Sequence, residues 1–407
     1  MDFHNFAEQT LHNLASTHEL RCLGPQERDH TWLMQNDILG LQQNESIRKA
    51  GEEALRKWGS GPRASRLLGG NNVLLGDGER AIASYFEAPT ATFFSSGYLA
   101  NLALSSLGSW CTHVYSDEKN HASLIDAVRL MRRQVTIVPH TSWPQHLTQP
   151  SPTGEQRLLL SESLFSMDAT CAPIAFFRDC LEVKDNLVVL DEAHATGLFE
   201  LRGQGLMRPL HPSWERLVIV VAFGKACGVG GAALLGTATL QQYLHNFARS
   251  FIFTTAPLAP QIAMVQASLH FLASDEGTCL RQKLWQRASQ TRAYLNSLVP
   301  SASELPPAMT IEAQKLAENR VEKRAPFLLL PMGSTATAMK FCSALRGDGI
   351  YLNPIRYPTV PRGKERVRLS ISLHYSDAAW MQVVERIGGL WKAFLLQGLI
   401  PASERLW

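Results

Sequence analysis

The stretch "LVVLDEAHATG" (Leu187–Gly197) decides the fold. Four apolar residues run straight into an acidic pair. An unbroken run of this kind suits a strand covered on both faces, because a half-exposed strand would alternate apolar with polar. Working outward, short runs of the same character recur at "TATFFSS" (90–96), "HVYSD" (113–117), "QVTIVPH" (134–140), "RLLLSES" (157–163), "RLVIVVAF" (216–223) and "AALLGT" (232–237), with helical stretches between several of them. Strands alternating with helices predict an α/β domain built on a mostly parallel, seven-stranded sheet. Beyond about residue 270 the rhythm changes. Long helices over 279–298 and 376–395 flank the short strands "PFLLLPM", "GIYLNPI" and "RVRLSISL", which predicts a smaller α+β domain. The expected division is an N-terminal arm over 1–45, a large domain over 46–275, a small domain over 276–398 and a tail over 399–407. Ser46 is the expected cap of the first long helix of the large domain.

The letters DEAH also name a helicase class, in which the acids at a strand end hold the magnesium of a bound nucleotide. That chemistry needs GxxxxGK[ST] after an early strand, whose backbone N–H groups cradle the phosphates. No such pattern occurs. The one Gly-Lys near a strand end, in "AFGKACG" (Ala222–Gly228), lies downstream of the acids and has alanine where the magnesium-binding hydroxyl belongs. Composition agrees. The 407 residues are 45% hydrophobic and 18% charged with a formal net charge of +3, and Arg129, Arg132 and Arg133 read as one solvated helix face, not a basic stripe. Nucleic acid is not an expected partner. The seven cysteines form no CxxC pair and read as reduced thiols. The first fifteen residues carry no basic start followed by an apolar run, and apolar stretches stop short of the roughly 18 residues that cross a bilayer. A cytoplasmic protein without a membrane or metal partner is the expectation.

An acid at one strand end and a lysine at the next fit another chemistry. Neighbouring parallel strands present their carboxyl ends to one crevice, so Asp191 and Lys225 can share a site. A lysine that condenses with an aldehyde cofactor, beside an acid that keeps a pyridine nitrogen protonated, is the minimal pyridoxal phosphate (PLP) apparatus. His194 follows on the same turn. "FFSSGYLAN" (Phe93–Asn101) offers a strand, a tight turn and a helix start suited to a phosphate. His121 heads another helix, and Ser166 follows a strand. Taken alone, Asp191 reads equally as a helix cap and His121 as a helix-start residue. Gly228, Gly230 and Gly231 alone read as a loop. Lys225, in an otherwise apolar stretch, is the costliest to leave without a function.

From Asn36 to Tyr375 the chain resembles the α-oxoamine synthases of PLP fold type I. The resemblance rests on motifs in the family's order: "GSGPRASR", "SGYLAN", "NHASL", "ESLFSMD", "DEAHATG", "FGKACGVGGA", "FTTAP" and "IRYPTVPRGKERVRLS". It implies decarboxylative condensation of a small amino acid with an acyl thioester carried on coenzyme A or an acyl carrier protein, in a homodimer. A PLP aminotransferase outside the family is the competing reading, and it needs no thioester site. The resemblance implies Lys225 as the cofactor-binding lysine, Asp191 at the pyridine nitrogen, His194 and Ser166 at the phenolic oxygen, and His121 stacked on the ring. Ser96, Gly97 and Tyr98 would hold the phosphate, with Thr254 and Thr255 reaching the phosphate of the neighbouring subunit. Arg368, Arg356 and Arg21 are its candidates for the substrate; Arg366, on the same strand face as Arg368, reads as solvated. Three positions depart from the family pattern: Ala222 replaces a phosphate-binding hydroxyl, Ile38 replaces an aromatic, and "NNVLLGDGE" lacks histidines.

Overall fold

The computed structural model describes residues 2–21, 31–140, 142–298 and 325–400. Cys22 and residues 401–407 of the expected tail lie outside them. The chain forms two units. One comprises residues 36–166 with 170–283; the other comprises residues up to 35, 167–169 and 284 onward. The segment expected as an arm is therefore split: its first 35 residues group with the C-terminal unit and the remainder with the sheet.

The first unit is built on β1 (Thr90–Phe94), β2 (His113–Asp117), β3 (Gln134–Val138), β4 (Arg157–Glu162), β5 (Asn186–Asp191), β6 (Leu217–Ala222) and β7 (Ala232–Gly236). Across the sheet the order is β1-β7-β6-β5-β4-β2-β3. Every pairing among β2 to β6 is parallel, whereas β7 runs antiparallel to both β6 and β1. The reason is local. A parallel return needs a crossover of about a dozen residues or more, and the connection 223–231 is too short for one. It closes instead as a tight loop in which the Phe223 N–H donates to the Gly231 carbonyl and the Val229 N–H to the Phe223 carbonyl. Gly231 has φ +117°, and a β-carbon there would stand 2.6 Å from the Phe93 ring.

Every residue of β4 and β6 is buried, which accounts for their continuous apolar sequence. β3 is an edge strand, and Ile137 on it is exposed. Helix α1 (Glu45–Trp58) is capped by Asn44, not Ser46: the Asn44 Oδ1 accepts from the N–H groups of Ser46 and Ile47 at 3.0 and 3.2 Å. Asn is as good a cap as Ser, and Asn44 is the residue with the extended backbone a cap requires.

The second unit carries a three-stranded antiparallel sheet, ordered β8 (Phe327–Pro331), β10 (Arg366–Ser370), β9 (Pro354–Ile355). The single strand expected at "GIYLNPI" is two pieces: Ile350–Tyr351 pairs in parallel with Thr31–Trp32, and Pro354–Ile355 joins β10. The closing helix Asp377–Leu396 is capped by Ser376 and buries Trp380, Trp391 and Phe394. Among the described residues no helix is long and apolar enough to cross a membrane.

Candidate active site

The carboxyl ends of β4, β5 and β6 lie side by side. Glu162 and Asp191 are register partners, and Asp191 in turn stands beside Val220. Lys225 follows β6 in the short loop and is half-buried. The chain thus brings its acid and its lysine to one edge of the sheet. Their fields meet at His121, whose pKa is lowered first by enclosure in the protein and then by the Lys225 charge, against the opposing pull of Asp191.

Asp191 is buried, and each carboxylate oxygen accepts from an N–H group. Oδ1 takes the backbone N–H of Ala193 at 2.8 Å, and Oδ2 takes the side-chain amide of Asn101 at 2.7 Å. Donors at both oxygens suit a carboxylate. Asn101 lies on helix α2 (Gly97–Ala103), buried against the sheet. Its Nδ2 also donates to the Ser123 hydroxyl at 2.9 Å. Ser123 belongs to α3 (Ala122–Met131), whose cap is His121: the imidazole Nδ1 accepts from the Ser123 N–H and pairs with the Ser123 Oγ at 2.7 Å. His121 is therefore a satisfied helix-start residue and, at the same time, a member of the cluster. Part of its ring remains exposed.

Two further acids have distinct environments. Glu162 is pushed up to about 8, chiefly by burial and secondly by Asp191 beside it, with the Lys225 charge and the His121 backbone N–H pulling the other way. Glu192, the second acid of the DEAH letters, is pushed up to about 7 by burial. It points away from the strand-end chemistry and holds a loop: its Oε2 accepts from the Leu206 N–H at 2.8 Å. Gly205, at φ +96°, leaves room for that carboxylate, since a β-carbon there would fall 1.6 Å from Oε2.

At the start of α2, Ser96 caps the helix through the Leu99 N–H. The Tyr98 hydroxyl donates to Asp126, so only the Tyr98 backbone is available for an anion. Gly97 faces the end of β6: a β-carbon on it would lie 3.7 Å from the Ala222 methyl. Ser166 is buried and His194 half-buried. Thr254 is half-buried and Thr255 exposed, in coil after the exposed Phe253. The arginine of "GSGPRASR" turns inward: Arg66 pairs with the buried Glu79 and donates to Asn71.

The remaining candidates belong to the second unit. Arg368 is buried, its guanidinium 5.4 Å from the centre of the Phe327 ring, and burial lowers it to about 10. Arg356 donates to the carbonyls of His18 and Leu20, the latter at 2.8 Å. Arg21 follows in exposed coil. Arg366, read from the sequence as solvated, instead donates to the Met167 carbonyl at 2.7 Å and pairs with Asp168 at 3.2 Å. Alternation along a strand assigns a face, not what covers that face.

An acid and a lysine at adjacent parallel strand ends, a histidine in both their fields and a helix start opposite a small-residue gap fit pyridoxal phosphate by the chemistry of the donor set. The fold is that of PLP-dependent fold type I. A sequence model of the class I and II aminotransferases matches residues 28–387. The chain belongs to that family, and within it to the α-oxoamine synthases. It is 32% identical over 358 residues to an 8-amino-7-oxononanoate synthase of Cupriavidus metallidurans, covering 86% of this chain and 85% of that one. To a protein of the same description from Burkholderia mallei it is 36% identical over 350 residues, 84% of each chain. The fold is shared with a serine palmitoyltransferase of Sphingomonas wittichii, with a TM-score of 0.77, 21% identity and 98% of both chains covered.

Proposed function

We propose that the protein joins L-alanine to a pimeloyl thioester, on coenzyme A or an acyl carrier protein, with loss of carbon dioxide and release of the carrier thiol, giving 8-amino-7-oxononanoate for biotin synthesis. The observation that carries this reading is the convergence of Asp191, Lys225 and His121 in a chain 32–36% identical to enzymes of that description. Bound pyridoxal phosphate supplies an aldehyde carbon and an electron-accepting ring.

The chain's residues do the rest. Lys225 would hold the cofactor, and its amine would take the Cα proton of the amino acid. Asp191 keeps the ring nitrogen protonated. His121 would face the cofactor ring, and His194 and Ser166 would hold its phenolic oxygen. The Ser96, Gly97 and Tyr98 backbone takes the phosphate. Arg368 clamps the alanine carboxylate, a planar fork being better suited to a planar anion than a lysine. Arg356, with donors on the His18 and Leu20 carbonyls, holds the segment that presents Arg21. Thr254 and Thr255 serve the phosphate of a second copy, so the working unit is a cytoplasmic homodimer. Support for a buried face there comes from exposed Leu67, Leu68, Phe253 and Leu258 around a loop tied together by the Ala256 N–H to the Ala64 carbonyl.

Purified protein given pyridoxal phosphate should be yellow, and borohydride should fix the cofactor to one peptide, the one containing Lys225. A matrix of amino acids against acyl thioesters should then give the highest turnover with alanine and a pimeloyl thioester. A label on another lysine removes the central assignment; highest turnover with glycine or serine, or with a long acyl chain, moves the protein to another α-oxoamine synthesis.

A further inference from the structure

The two groups assigned to meet the cofactor ring, Asp191 and His121, come from different elements, β5 and the head of α3. They are joined by two buried residues to which the proposed reaction gives no part, Asn101 and Ser123. Asn101 Nδ2 has two hydrogens and spends them at 2.7 Å on Asp191 Oδ2 and at 2.9 Å on Ser123 Oγ. Ser123 Oγ, having accepted from Asn101, has its own proton left for the only other close partner among the described residues, His121 Nδ1 at 2.7 Å. That nitrogen also accepts from the Ser123 N–H. With both donors directed at Nδ1, the imidazole carries its proton on Nε2.

The amide cannot be turned over. A flipped Asn101 would set its carbonyl against the Asp191 carboxylate. In its present orientation the Asn101 Oδ1 is buried and accepts no hydrogen bond among the described residues. An asparagine retained only for core stability would have its carbonyl satisfied, since a bare buried carbonyl is costly. This one tolerates the loss to keep both N–H groups on the site.

The geometry points to Asn101 as a positioning residue that, with Ser123, locks Asp191 and the tautomer of His121 into one hydrogen-bonded relay. The charges facing His121 are Lys225 from the loop after β6, Asp191 from β5 and Glu162 from β4, which accepts the His121 backbone N–H. The role in catalysis rests on the proposed function. The relay itself does not.

The test uses full-length, cofactor-free protein labelled with [15N]histidine, with the His121 signals identified by their loss in His121→Gln. Wild type should show Nδ1 bare and Nε2 protonated near neutral pH. Ser123→Ala should mix the two tautomers and raise the His121 pKa by about half a unit to one unit, and Asn101→Ala should do the same to a smaller degree. In loaded enzyme, Asn101→Ala should lower kcat about tenfold and leave the KM for alanine within about twofold, the split expected of a group that touches neither substrate. Unchanged tautomer and pKa in Ser123→Ala overturn the relay, and that variant, which loses one oxygen, reads the result should Asn101→Ala fail to fold. Altered nitrogen shifts with no cofactor fixed to Lys225 would instead sink the proposed function and leave the relay standing.

Discussion

The carboxyl edge of the large sheet and the arginine-bearing strand of the C-terminal unit present their chemistry in different ways. On the sheet, Glu162, Asp191 and Lys225 are set by strand register and one short loop, so knowing the strands is nearly enough to know the site. In the other unit, Arg356, Arg366 and Arg368 are alike in sequence and lie within one stretch. The first holds two carbonyls of the N-terminal segment, the second pairs with Asp168, and the third is buried against Phe327. Backbone geometry places a side chain; only its packing decides what that side chain is available for.

The largest expected effect tests the sheet edge. Asp191→Asn keeps the shape but cannot hold a ring proton by charge. The exchange of the alanine Cα proton with deuterium should fall on the order of a hundredfold or more, with cofactor still fixed to Lys225 by borohydride. Retained exchange would mean that strand register misidentifies the acid.

Next comes the contrast among arginines. Loss of a bidentate pair in a buried site costs roughly 2–5 kcal/mol, so Arg368→Lys should raise the KM for alanine about thirtyfold or more. Arg356→Lys should leave that KM within about twofold and loosen the N-terminal segment, seen as faster proteolysis near Leu20. The reverse outcome would exchange their assignments.

A smaller effect concerns pH. Burial raises Glu162 in the folded protein, so the folded state binds a proton there more tightly than the unfolded chain does. The Glu162 contribution to stability is therefore fullest below the ordinary carboxyl range and declines as pH rises from there through about 8. Glu162→Gln, which cannot titrate, should flatten that decline in denaturant melts taken across the window; an unchanged slope would place the titration elsewhere.

The smallest is Ala222→Ser. With the Ala222 methyl against Gly97, an added hydroxyl should tighten pyridoxal phosphate several-fold, the value of one hydrogen bond of about 1 kcal/mol. No gain by fluorescence titration would mean that the gap at Gly97 is not where the phosphate sits.

Much of this was legible in the sequence for a physical reason. Strands covered on both faces must be continuously apolar, so β4, β5 and β6 stand out, and the acid of "LVVLDE" and the lysine after "VVAFG" follow them. What escaped depends on neighbours distant in the chain. The antiparallel course of β7 comes from the length of one loop. Asn101 and Glu162 sat in quoted motifs without a role, because a buried amide or acid takes its function from register partners that spacing does not reveal. Arg366 was misread because Met167 and Asp168, which cover it, are far away in sequence.

The short connection between β6 and β7 has a consequence in time. Lys225 hangs from a loop that begins and ends inside the sheet and is crossed by the Phe223–Gly231 and Val229–Phe223 hydrogen bonds. Those amide protons cannot exchange with solvent unless the sheet itself opens. They should exchange as slowly as those of β6, on the schedule of global unfolding and not of loop motion. The lysine's backbone then stays fixed during turnover, and the movements that admit and release substrates fall to other parts of the chain.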